Sequence, residues 1–375
     1  MFDTIETPRL VLDKARLEKN TRRFRALAAK NNICLRPHLK TAKSLEVAAV
    51  ANGGRQSAIT VSTLKEAAYF SAGGYRDILY AVGITPNKFA HVKAIIDQYK
   101  TDIILMTDNL EVAQAAAGFA MGEDCPLRFL IELNCGENRG GIAPDSPELL
   151  EIARVFDACP KIDFKGVLTH GGHSYGTDDR QQVEEIAEAE RASVITAATR
   201  LSDIDIQSEI LSVGSTPTFL FAKSFTGLTE VRAGVYMFFD LAQYSRKICQ
   251  LEDIAVSVLA SIIGHSKQGG SLIIDGGAFA LSKDASANRF LPDAGYGYVC
   301  DPVTMERLGH LSVNEVHQEH GTIQLDDEIW FERLPVGSLI RILPNHACAT
   351  AANFDNYLVV DNGKIIDEWQ RVNRW

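Results

Sequence analysis

The chain has 375 residues, 46% hydrophobic and 23% charged, a balance that builds a full core and excludes a disordered polypeptide. Its formal net charge of -10 excludes nucleic acid and anionic membrane as main partners. The seven scattered cysteines include no CxxC pair and suit a cytoplasmic protein with reduced thiols. No apolar run reaches a membrane span, and the opening "MFDTIETPRLVLD" carries acids where a signal peptide needs a basic region.

Length allows two domains, or one large barrel with an addition. Over the first 245 residues strand-like and helix-like segments alternate. "NICLRPH", "SAITVS", "DILYAV", "DIILMTD", "LRFLIELN", "FKGVLTH", "SEILSVG" and "EVRAGVYMF" are mostly short, β-branched and nearly continuously apolar, as strands of a parallel sheet covered on both faces are. Between them "TLKEAAYFSAG", "NLEVAQAAAGFAM" and the acidic stretch from Gln181 to Thr199 have helical character. Eight strands, each followed by a helix, predict an α/β fold, a (β/α)8 TIM-type barrel, in preference to a doubly wound open sheet. After about Ser245 the texture changes to strands joined by Gly, Asn and Asp turns, as in "IAVSVLASIIGHS", "YGYVCD" and "SLIRILPNH". "VVDNGKII" is a hairpin signal, and "TPRLVLD" is expected to add a strand to this second, mostly β domain. The expected division is a barrel over residues 11–245 and a β-rich domain over 246–375 with 1–10.

The active site of a parallel barrel lies at the C-terminal ends of its strands. There the sequence places His38 and Lys40 after the first strand, Arg139 after the fifth and His170 after the sixth. Gly214, Ser215 and Thr216 follow the seventh strand, and Gly234, Val235 and Tyr236 lie at the eighth. Either glycine segment alone reads as a turn. On adjacent strands they form a phosphate cradle of backbone N–H groups and hydroxyls. A lysine at a strand end is ordinarily solvated or paired. Beside a phosphate site and other cations, however, Lys40 suits a nucleophilic amine, and phosphate plus reactive lysine points to pyridoxal 5'-phosphate. In "PNHACAT", His346 and Cys348 are two apart; on an extended chain they share one face. Imidazole with thiolate suits Zn2+, and two protein ligands leave positions open for chemistry. The competing reading is a packed cysteine beside a hydrogen-bonded histidine.

Together these segments resemble the D-serine dehydratase and D-threonine aldolase family of pyridoxal-phosphate enzymes, over nearly the whole chain. The resemblance implies the alanine racemase fold, a barrel followed by a β domain. "RPHLKTAKS" is similar to the family's cofactor-lysine segment, which makes Lys40 the residue that holds the cofactor. "NCGENRGG" is similar to D-x-G-x-x-R-x-G, with Asn134 where aspartate is common and Arg139 in place near the cofactor phenolate oxygen. "VGSTPT" and "RAGVY" resemble the phosphate loops, and His170 the histidine that sits against the cofactor ring. Arg232 falls where racemases hold an arginine at the pyridine nitrogen, a position that varies among relatives. An H-x-D pair marks the aldolases and an H-x-C pair with zinc the dehydratases, so His346 and Cys348 point to the second branch. The segments look most like its bacterial hydroxyaspartate-dehydrating members.

The implied reaction is zinc-assisted dehydration of a small D-3-hydroxy amino acid, such as D-serine or 3-hydroxyaspartate, to a 2-oxo acid and ammonia. Lys40 would take the α-proton and Zn2+ would assist departure of the β-hydroxyl. Retro-aldol cleavage to glycine and an aldehyde is the main rival, followed by racemisation and a non-catalytic cofactor carrier. The resemblance also implies a homodimer. His173, Ser174, Tyr175, Glu319 and His320 are candidates to line the pocket, or to stand behind it as structural groups.

Overall fold

The computed structural model describes residue 2 and residues 4–375. One compact unit comprises the residues up to Arg22 with Thr41–Val50 and Val235–Arg374; the other comprises Arg23–Lys40, Ala51–Gly234 and Trp375. Strand β1 (Arg9–Asp13) belongs to the first.

The next eight strands build the second unit. They are β2 (Cys34–Pro37), β3 (Ile59–Val61), β4 (Asp77–Tyr80), β5 (Asp102–Thr107), β6 (Leu127–Leu133), β7 (Ile162–Thr169), β8 (Ile210–Val213) and β9 (Glu230–Ala233). They pair in parallel in the order β2-β9-β8-β7-β6-β5-β4-β3. The circle is completed by a parallel bridge between His38 and Thr60 and by the Leu39 N–H, which donates to the Thr60 carbonyl at 2.8 Å. The predicted barrel is borne out. Helices start where polar residues cap orphan N–H groups: the side chains of Thr63, Asn109, Ser146 and Asp179 each accept from the first turn that follows.

A chain of buried charged and polar groups crosses this sheet. Arg36 Nε donates to Glu230 at 2.8 Å and its Nη1 to Asp77 at 2.6 Å. Glu230 accepts the Ser212 hydroxyl at 2.6 Å, and Ser212 Oγ in turn accepts from Arg232 Nη1 at 2.5 Å. Arg232 Nη2 ends the chain on the Thr169 carbonyl at 2.6 Å. Arg36, Ser212, Glu230 and Arg232 are all buried, so each charge depends on its partner.

The first unit is mostly β. Strand Val256–Ser266 pairs antiparallel with β1 and with Leu339–Leu343, and β1 pairs parallel with Asn356–Asp361. The expected addition of "TPRLVLD" to this sheet is therefore observed. The hairpin Asn356–Gln370 turns at Asn362 and Gly363, both at positive φ (48° and 73°), as an Asn-Gly turn between twisted strands requires. Among the described residues no helix is long and apolar enough to cross a membrane.

Candidate active site

In the barrel unit the predicted strand-end residues take up distinct environments. Lys40 is exposed, and its backbone N–H reaches His38 Nδ1 at 3.5 Å. Burial, then the charges of Lys40 and Arg232, hold His38 well below the usual imidazole range. Burial likewise lowers His170 to about 3, against the raising effect of its bond to Gly214 and with the help of Arg232, Lys40 and Arg139. Both rings are therefore neutral near pH 7. His170 Nδ1 lies 2.8 Å from the Gly214 carbonyl, and Arg232 is bonded to the carbonyl of Thr169, the residue before His170.

The loop after β8 is tightly organised. Ser215 caps the helix Thr216–Phe221 through a reciprocal box with Thr218, and its hydroxyl also meets Ser174 Oγ at 2.9 Å. The Ser215 N–H is taken by Thr218 Oγ1 at 3.0 Å. The Thr216 N–H donates to the Tyr175 hydroxyl at 3.2 Å. Gly214 has φ +125°, and a Cβ there would lie 2.5 Å from the Arg232 carbonyl oxygen, so the close approach of β8 and β9 demands glycine.

The loop after β6 is folded by Asn134, whose Oδ1 accepts the N–H groups of Gly136 and Asn138 at 2.8 and 3.2 Å. An amide oxygen does here what an aspartate would do, so the departure from the family pattern keeps the turn. Arg139 is exposed and meets Glu137 at 3.5 Å. Gly234 follows β9, whereas Val235 and Tyr236 belong to the other unit, both buried. His173 is half-buried with Nδ1 lacking a hydrogen-bond partner; Glu319 and His320 are exposed in the first unit.

The His346–Cys348 segment departs from the extended path the sequence suggested. His346 is extended (φ -138°, ψ 102°), but Ala347–Ala351 is a short helix. Pro344 ends the hydrogen-bonding run of the preceding strand, and Asp240 accepts the Ala347 N–H at 2.9 Å as it would at a helix start. The two side chains still stand close enough for Cys348 to act on the His346 ring. Thr41 Oγ1 lies 3.1 Å from Cys348 Sγ, and Asp284 Oδ2 lies 2.7 Å from His346 Nδ1. Burial opposes charge on His346, but the bonds to Asp284 and Cys348 outweigh it and raise the ring to about 11. Asp284 is correspondingly held well below the usual carboxylate range, first by that same bond. A carboxylate on Nδ1 leaves Nε2 as the nitrogen for a metal, the arrangement usual for a ligating histidine, and metal binding would displace the proton that the raised ring carries there. The donor set fits a divalent ion of zinc's softness. Among the described residues no group of three or more His, Cys, Asp or Glu side chains gathers in metal-holding geometry.

Sequence reasoning missed Asp284, Thr41 and Glu190. Asp284 lies in an irregular stretch and carries no spacing signal. Glu190, an acid on the buried stripe of helix Arg180–Ser202, could have been found by its position among Val183, Ala187, Val194 and Ala197.

The family model of the alanine racemase N-terminal domain matches residues 12–242, and that of a serine dehydratase domain residues 255–360. A D-threo-3-hydroxyaspartate dehydratase of Delftia sp. (strain HT23) is 39% identical over 99% of this chain and 98% of its own. Its solved structure, at 38% identity, covers 100% of this chain and 99% of that one with a TM-score of 0.96. Solved forms of a D-threo-3-hydroxyaspartate dehydratase include a cysteine-to-alanine mutant in the metal-free form and a histidine-to-alanine mutant, altered two positions apart. D-serine dehydratase of Dictyostelium discoideum is 29% identical over 100% of this chain and 98% of its own. A 3-hydroxy-D-aspartate aldolase of Paracoccus denitrificans (strain Pd 1222) is 27% identical over 97% and 91%. Matched by a family model over more than half its length and similar to a dehydratase from end to end, this chain belongs to the D-serine dehydratase and D-threonine aldolase family of lyases.

Proposed function

We propose that the chain is a pyridoxal-phosphate- and zinc-dependent dehydratase of D-3-hydroxy amino acids such as D-serine or D-threo-3-hydroxyaspartate. The observation that carries this is the His346–Cys348 pair, with Asp284 on the Nδ1 of His346. The two positions altered in the relative's mutants, one of them solved in a metal-free form, have the same spacing of two. Residues 11–245 would hold the cofactor, and residues 246–375 with 1–10 would carry the metal.

When bound, pyridoxal phosphate supplies a sink for charge left at Cα, and the metal a Lewis acid for the β-hydroxyl. The remaining work belongs to the chain's own residues. Lys40 would hold the cofactor through its amine and would be the base that takes the α-proton on Nζ. Its exposure leaves the amine accessible. His38 and Arg139 would flank the cofactor, and neutral His170 would offer it an uncharged ring face. Arg232, pinned by Ser212 and Thr169, keeps its charge fixed. Thr216, Tyr175 and the N–H of Gly234, all in the barrel unit, would bind the phosphate. Gly214 and Ser215, whose N–H groups are engaged within the barrel, shape that loop. His346 Nε2 and Cys348 Sγ hold the metal. Loss of the α-proton and of hydroxide leaves an enamine, which water converts to a 2-oxo acid and ammonia.

Retro-aldol cleavage is the alternative, favoured by the aldolase relative. A homodimer in the cytoplasm completes the proposal. Its test is chelation of the loaded enzyme. Ammonia release from D-serine should stop while the absorption of the lysine-bound cofactor persists, and unchanged turnover would refute the metal's part.

A further inference from the structure

Helix Arg180–Ser202 turns Val183, Ala187, Val194, Ala197 and Leu201 inward, and Glu190 falls on the same buried stripe with 1% exposure. A carboxylate is rarely accepted in such a place without partners. Glu190 Oε1 accepts the Gly171 N–H at 2.5 Å and the Gly214 N–H at 3.0 Å. Gly171 belongs to the loop after β7, and Gly214 to the loop after β8. One side chain from the surrounding helix therefore gathers both loops.

The close approach is built into the glycines. A Cβ on Gly171 would lie 2.8 Å from Ile186 Cγ2 and 3.0 Å from Glu190 Cδ. Gly214 is closed to a side chain by its positive φ and by the Arg232 backbone. Its peptide is thus held on both sides: the N–H on Glu190, and the carbonyl facing His170 Nδ1 at 2.8 Å. A carbonyl oxygen can only accept, so the proton must sit on Nδ1, and a neutral ring then leaves Nε2 bare.

We infer that Glu190 is a positioning residue: it ties the loops after β7 and β8 together and thereby fixes His170 as the Nδ1–H tautomer. The tautomer follows from the barrel's own hydrogen bonds. Its consequence for the cofactor rests on the function proposed above. A bare Nε2 cannot donate a proton, so His170 serves as a neutral ring and acceptor, while the loop 214–216 is held in one shape for an anion.

The test uses the holoenzyme as purified, labelled with 15N-imidazole histidine, with the His170 signals assigned by comparison with His170→Gln. The wild type should show a protonated Nδ1 and a pyridine-type Nε2 at neutral pH. Glu190→Asp, one methylene short, and Glu190→Ala should shift the His170 signals toward averaged tautomers and weaken pyridoxal phosphate binding by on the order of tenfold. Glu190→Gln keeps an oxygen for the two N–H groups and should stay close to wild type in both readouts. If Glu190→Ala fails to fold, Glu190→Asp and Glu190→Gln decide. A purely structural Glu190 would lower thermal stability and leave tautomer and affinity unmoved, which overturns the inference. So would a wild-type His170 protonated on Nε2. If the wild type has no affinity for pyridoxal phosphate, the proposed function fails, and the tautomer signals of the variants still decide the role of Glu190.

Discussion

Asp284 Oδ2 accepts the Nδ1–H of His346 across 2.7 Å, although 62 residues separate the two in the chain. The contact is held from both sides. Asp284 Oδ1 accepts the Ser286 N–H at 2.8 Å, and Asn345 Nδ2, one residue before His346, donates to the Asp284 carbonyl at 3.0 Å. The imidazole is thereby aimed before any ligand arrives.

Asp284→Asn should preserve the shape of this contact and remove its charge. Zn2+ affinity, measured by competition with a coloured chelator, is expected to fall by about 10–100-fold. Co2+ substituted for zinc should still show thiolate absorption from Cys348. Unchanged affinity would mean that the carboxylate only packs against the ring.

Lys40 should be the residue that borohydride attaches to the cofactor. Reduction of the loaded protein followed by peptide mapping is expected to label Lys40 alone, and Lys40→Ala should lose the lysine-bound absorption and the activity together. A label on Lys43, three residues on, would move the assignment.

The Arg36–Glu230 bond joins neighbouring strands β2 and β9, with both partners buried. Glu230→Ala leaves the Arg36 guanidinium with Asp77 and the Ile59 carbonyl and removes the acceptor of the Ser212 hydroxyl. Such a loss costs about 3–5 kcal/mol, to be read as a lower urea midpoint at unchanged slope. A cost below about 1 kcal/mol would show that solvent or Asp77 replaces Glu230.

What could be read from the sequence followed the range of the signal. The barrel strands are legible because a short, β-branched, continuously apolar run such as "DIILMT" is a local signal, and the final hairpin because Asn362 and Gly363 are the residues its turn needs. The Lys40, Gly214 and His346–Cys348 segments stood out because each pattern is local. The path from His346 to Cys348 was misjudged, since the helix that begins at Ala347 is capped by Asp240, 107 residues upstream. Asp284 was illegible for the same reason: a loop acid reveals its partner only when the chain is folded. Glu190 left a local trace, an acid on an apolar stripe, but its two glycine partners come from separate loops.

The most direct test of the central claim is to measure the products of the zinc- and cofactor-loaded enzyme acting on D-threo-3-hydroxyaspartate and D-serine. The account predicts ammonia and 2-oxo acid in equal amounts, oxaloacetate from the first and pyruvate from the second. Glycine with an aldehyde in place of ammonia would contradict it and make the chain an aldolase.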